Sequence, residues 1–121
     1  MAKVFLSAFV VFLSLISVCN LGLARGANAA SQKTWCVAKP SSDEKTLQNH
    51  INYVCIEQGL DCRTFKQEQQ PCSSPNIMIN HASIAMNIYY QNKGRNTWNC
   101  HFNNTGLITT TDPSYGSCKY A

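Results

Sequence analysis

Six cysteines, at positions 36, 55, 62, 72, 100 and 118, crowd the second part of a 121-residue chain. Few features restrict a fold more. An even count at such spacings in a short chain reads as a disulfide framework wherever the compartment is oxidising. Zinc is the competing chemistry. Cys55 and Cys62 do not form a Cys-x-x-Cys pair, and His50, His81 and His101 are scattered, so neither a metal nor another cofactor is expected. A cysteine locked in a bridge cannot attack a substrate, which also removes Cys100 as a nucleophile. Spacing alone leaves the pairing of the six open.

The first residues set the compartment. Lys3 gives a positive start, and residues 4–18 are almost wholly apolar. That run is shorter than the roughly 20 residues a membrane span needs. Small residues follow, so a signal peptide over 1–24 is expected, cut after Ala24 or as late as Ala29. The seventh cysteine, Cys19, leaves with it and turns an odd count into an even one. Residues 25–33 read as a flexible arm and 34–121 as one domain. The chain lacks an apolar tail of the kind a lipid anchor requires, so a soluble, extracellular protein without a membrane anchor is expected. A domain this small buries too little apolar surface to be secure without staples. Net charge is only +4 and no Lys/Arg cluster occurs, which argues against nucleic acid as a partner.

The pattern along the domain predicts an α+β fold with two main helices and a small antiparallel sheet. Residues 33–38 are rich in strand formers. Ser41 and Glu44 have capping-box spacing, and Leu47, Ile51, Val54 and Cys55 recur at helical spacing up to Gly59, so a helix is expected over 43–57. The polar stretch 61–74 reads as loop. Met78, Ala82, Ala85, Met86 and Tyr89 share one face of a second helix over 77–92, closed by Lys93-Gly94. Residues 97–102 and 107–111 read as strands flanking an Asn-Asn-Thr-Gly turn, and 117–120 as a possible last strand.

Hydrolysis of a glycoside needs two carboxyl groups facing each other across the bond. Asp43 and Glu44 belong to a helix start, Glu57 to a helix end and Asp112 to a turn, so no such pair is expected and the chain reads as a non-enzyme. Aromatic and amide chemistry remains. Sugar rings stack their apolar faces on Tyr and Trp and pair their hydroxyls with Asn and Gln. Tyr89 continues the apolar helix face and reads as core. Tyr90, turned by about 100 degrees, reads as exposed beside Gln91. Trp98 and Tyr115 are the further candidates for a sugar platform. Asn103-Asn104-Thr105 is a sequon, so Asn103 is a candidate for glycosylation.

With these motifs in view, the chain resembles a known family. Trp35-Cys36-Val37-Ala38, Tyr53-Val54-Cys55, Gly59-Leu60-Asp61-Cys62, Pro71-Cys72, His81-Ala82-Ser83 with Asn87 and Tyr89-Tyr90-Gln91, Cys100-His101-Phe102 and Gly116-Ser117-Cys118 are similar to the plant carbohydrate-binding module of family 43, which binds β-1,3-glucan. The similarity runs from Trp35 to Lys119. It implies the pairs Cys36–Cys100, Cys55–Cys62 and Cys72–Cys118. It also implies a stand-alone secreted module of the type that includes small pollen allergens: a monomer that binds callose-type glucan in the plant cell wall. Two positions depart from the usual pattern, His101 after the fifth cysteine and Met86 after Ala85. The alternative is a secreted defence or signalling polypeptide that recognises a protein on the same scaffold.

Overall fold

The computed structural model describes residues 32–121. The expected signal peptide, and all of the expected arm except residues 32 and 33, lie outside the described residues. Strand β1 (Trp35–Ala38) pairs antiparallel with β2 (Gly106–Thr109), with Cys36 opposite Ile108 and Ala38 opposite Gly106. Helix α1 (Glu44–Asn52) runs into a wider π-type turn (Tyr53–Glu57). A single turn of helix, α2 (Arg63–Lys66), interrupts the stretch read as loop. Helix α3 (Met78–Asn92) follows, and then a 3-10 turn (Thr97–Cys100). The architecture is a small α+β domain with three disulfides, Cys36–Cys100, Cys55–Cys62 and Cys72–Cys118.

A pair of four-residue strands is marginal by itself. Here α3 completes it. The N–H groups of Cys36 and Ala38 lie two residues apart on the edge of β1 away from β2. Asn87 Oδ1 accepts the first at 3.1 Å and Ser83 Oγ accepts the second at 2.9 Å. Gln91 Nε2 continues the series by donating to the Thr34 carbonyl at 2.8 Å. The match is geometric. Four helical residues advance about 6 Å and two strand residues about 6.7 Å, so side chains at 83, 87 and 91 keep step with 38, 36 and 34. Asn87 is fully buried, and its Nδ2 also donates to the Ala121 carbonyl at 3.0 Å. Helix side chains thus stand where a third strand would.

Helix α1 starts on Asp43 rather than on the expected Ser41–Glu44 box. The Asp43 carboxylate accepts from the Thr46 N–H at 2.8 Å and from the Thr46 hydroxyl at 3.0 Å, which holds its pKa below the usual carboxylate value. Leu47, His50 and Ile51 face inward. Gly59, with φ of 64°, reverses the chain after the π-type turn, and Leu60 N–H reaches back to the Val54 carbonyl.

Two expected strands are corrected. Residues 97–102, rich in strand-forming side chains, form no strand: Thr97–Cys100 make the 3-10 turn instead, because Cys100 is tied to β1 and the backbone turns left-handed at Phe102, Asn103 and Asn104, with φ of 43°, 52° and 64°. Strand β2 therefore pairs with distant β1 and not with its chain neighbour. The tail contributes a lone bridge between Tyr115 and Cys118 rather than a strand.

Candidate functional site

Three segments converge on one open groove. Helix α1 and its π-type turn supply Thr46, Asn49, His50 and Tyr53, α3 supplies Tyr89, and the 3-10 turn and left-handed loop supply Trp98, Asn99, His101, Phe102 and Asn103. Its volume is about 590 Å³, inside the roughly 300–1,000 Å³ range of small-ligand sites. The aromatic rings are ordered edge to face. Centroids lie 5.6 Å apart for Tyr53–Tyr89, 5.5 Å for Tyr89–Phe102 and 5.1 Å for His50–Phe102. The Tyr53 phenol is hydrogen-bonded with Tyr89, which raises its pKa above the ordinary tyrosine value. Lys93 Nζ sits 5.6 Å from the centre of the Tyr89 ring. Trp98 stands at the rim with 72% of its surface exposed.

The lining offers chemistry that a neutral, hydroxylated ligand can use. Half-exposed rings give apolar faces, Asn49, Asn99 and Asn103 give amides, and no carboxylate lines the groove. A larger hollow of about 860 Å³ lies between α1 and the α2 loop, lined in part by Glu44, Gln48, Gln67 and Glu68. Its aromatic lining residues, Phe65 and His81, are only 5% and 9% exposed and stack on each other at 5.0 Å, so they offer no ring face to a sugar. The smaller groove is the better platform.

The residues expected to carry the platform separate. Trp98 lines the groove. Tyr90 does not: it is 2% exposed, and its phenol is hydrogen-bonded to the Thr34 hydroxyl at 2.7 Å under β1. Gln91 is committed to Thr34 and Asn87. Tyr115 is half-buried near Cys118, and its phenol is buried without a hydrogen-bond partner. The two tyrosines of α3 have exchanged their expected faces. The reason is that His81 through Asn87 are all buried, so α3 is covered by α1 on one side and β1 on another. Tyr53 and Phe102 were missed as platform residues. A signal existed, since Thr46, Asn49, His50 and Tyr53 fall at i, i+3, i+4 and i+7 and form one stripe of α1. Among the described residues, no cluster of His, Cys, Asp and Glu is placed to hold a metal, and no helix is long and apolar enough to cross a membrane.

His50 links the groove to stability. Its Nε2 lies 2.8 Å from the Thr105 hydroxyl, whose own proton goes to the Phe102 carbonyl, so Nε2 is the donor. Burial lowers the His50 pKa. The folded state then binds fewer protons than the unfolded one, so stability is complete above the ordinary histidine value of about 6.5 and declines as the pH falls below it. Denaturant melts at intervals between about pH 7 and pH 5.5 are expected to show this decline, and His50→Gln is expected to flatten it.

The fold and groove define a class: a small disulfide-stapled α+β domain that presents an aromatic platform rimmed by amides. A family model for the X8 domain matches residues 34–107. The chain is 48% identical over 88 residues to the major pollen allergen Ole e 10 of Olea europaea, covering 73% of this chain and 71% of that protein. It is 33% identical over 115 residues to plasmodesmata callose-binding protein 5 of Arabidopsis thaliana, covering 95% of this chain and 61% of that protein. A glucan endo-1,3-beta-D-glucosidase of Olea europaea is 46% identical over 87 residues, but the chain spans only 18% of that enzyme. The chain belongs to the X8 domain family, family 43 of the carbohydrate-binding modules.

Proposed function

We propose that this protein is a secreted, non-catalytic module that binds β-1,3-glucan of the callose type in the plant cell wall, and that it acts as a monomer after loss of its signal peptide. The observation that carries this reading is the groove in which Tyr53, Tyr89, Phe102 and Trp98 meet amide side chains and no carboxylate. The names of its relatives point the same way, one as a callose-binding protein and others as glucan endo-1,3-beta-glucosidases. The part shared with the enzymes is a minor fraction of their length, so their hydrolytic activity is not carried over. A glucose ring lies flat on Trp98 and Tyr89, its hydroxyls exchange water for Asn49 and Asn99, and the chain of sugars leaves through the open ends of the groove. Little rearrangement is needed, because disulfide Cys36–Cys100 and the left-handed loop fix the rim in advance.

Retention on insoluble β-1,3-glucan tests the reading. Trp98→Ala is expected to weaken retention about fivefold, equivalent to roughly 1 kcal/mol by analogy with aromatic pairs. The melting midpoint should not move, since this side chain is mostly in solvent. Wild-type protein that passes through the glucan unretained, or that releases reducing sugar from it after removal of contaminating glucanase, would refute the proposal. Capture by a protein in place of the glucan would favour the defence or signalling alternative.

A further inference from the structure

The groove leaves one motif without a role, the N-glycan acceptor Asn103-Asn104-Thr105. Its acceptor residue is exposed and belongs to the groove wall, beside His101 and Trp98. The wall is stiff at this point. Phe102, Asn103 and Asn104 are successively left-handed, Gly106 N–H closes the turn on the His101 carbonyl at 3.2 Å, and Thr105 N–H closes it on the Phe102 carbonyl at 3.1 Å. Asn104 is tied down as well, its Oδ1 accepting from Lys39 Nζ at 3.0 Å. The backbone that would carry a substituent on Asn103 is thus fixed in the groove wall, so its attachment point stays at the rim.

Resting on the glucan-binding reading of this groove, we infer that an N-linked glycan on Asn103 occludes it, so that the glycosylated and the glucan-binding protein are alternative forms of one chain. The transfer uses a lipid-linked oligosaccharide pyrophosphate of the secretory pathway as donor. Asn103 Nδ2 forms a bond to the first sugar carbon, the bond from that carbon to the pyrophosphate oxygen breaks, the lipid pyrophosphate departs, and Nδ2 gives up one proton. In the folded domain the Thr105 hydroxyl is engaged by His50 Nε2 and the Phe102 carbonyl. An acceptor site needs that hydroxyl, so transfer precedes folding. The choice between the two forms is made once, during synthesis, and is kept for the life of the molecule.

The test is made on the full chain secreted from plant cells and passed over insoluble β-1,3-glucan. Bound and unbound fractions are then weighed by intact-mass and peptide mass spectrometry. The same chain made in an oxidising host that attaches no glycan, and the unglycosylated fraction from plant cells, serve as glycan-free forms. The expected result is a glycan on Asn103 confined to the unbound fraction, with glycan-free protein binding about tenfold or more tightly, a difference of roughly 1.4 kcal/mol. Absence of a glycan on Asn103 overturns the inference, and so does a glycoform that is retained as well as the glycan-free protein. Both results leave glucan binding itself intact. Failure of the glycan-free forms to bind overturns the reading of the groove, and this inference with it.

Discussion

Replacing Asn87 with leucine is expected to cost about 3 kcal/mol of stability, a fall in melting midpoint of roughly 12–24 °C for a domain of this size. The size of the effect follows from what is left behind. Asn87 is fully buried and accepts from Cys36 N–H and Gln91 Nε2 while donating to the Ala121 carbonyl. Leucine has the same branching and the same number of side-chain heavy atoms, so no cavity opens. The strand N–H instead loses its acceptor in a site that water does not reach, and an unpaired buried donor costs about 1–3 kcal/mol alone. Ser83→Ala removes the neighbouring acceptor and is expected to cost less, about 1–2 kcal/mol, because the Ser83 hydroxyl holds only the Ala38 N–H among the bonds described. Thermal unfolding followed by circular dichroism decides it. A midpoint within a few degrees of wild type for Asn87→Leu would show that the strand does not depend on the helix for its hydrogen bonds.

Gly106→Ala should be more damaging still. A β-carbon at this position would stand 1.7 Å from the Cys100 carbonyl oxygen, 2.8 Å from its carbonyl carbon and 3.1 Å from Sγ. Backbone atoms cannot step aside as a flexible side chain can. Gly106 also pairs with Ala38 in the sheet, and Cys100 is bridged to Cys36, so the clash falls where strand pairing and a staple meet. A loss above about 4 kcal/mol is expected, together with failure to form the Cys36–Cys100 bond during oxidative refolding. Gly59→Ala is the control. It sits at φ of 64° with nothing within 4 Å of the added carbon, and should cost only about 1–2 kcal/mol of backbone conformation. Peptide mapping of the refolded products separates the two. Native pairing in good yield for Gly106→Ala would overturn the steric argument.

The helices were legible because their signals are local. Spacing of Leu47 and Ile51 places α1, and the Met78–Met86 stripe with Lys93-Gly94 places α3 within a residue of its observed span. The stretch 97–102 was misread because Trp98, Cys100 and Phe102 are strand formers by propensity. The disulfide to β1 and the left-handed loop outweigh that preference. The partner of β2 is some 70 residues away in sequence, and no local pattern reports it. The exchange of Tyr89 and Tyr90 has the most instructive cause. A hydrophobic stripe points to the core only when the opposite face meets water. Seven consecutive residues of α3 are buried, so periodicity there says which residues align and not which of them look outward.

The side chains of Ser83, Asn87, Tyr90 and Gln91 sit in the seam between α3 and the strand, away from most of the groove wall. The bonds that dock the helix on the strand and the rim of the groove are therefore made by different side chains. Two chains can share that seam and differ at Asn49, Trp98, Asn99 and His101, since none of these side chains bonds across it. For an engineer this makes the domain a chassis. A library confined to those four rim positions should melt near the parent temperature while its members sort among different glycans.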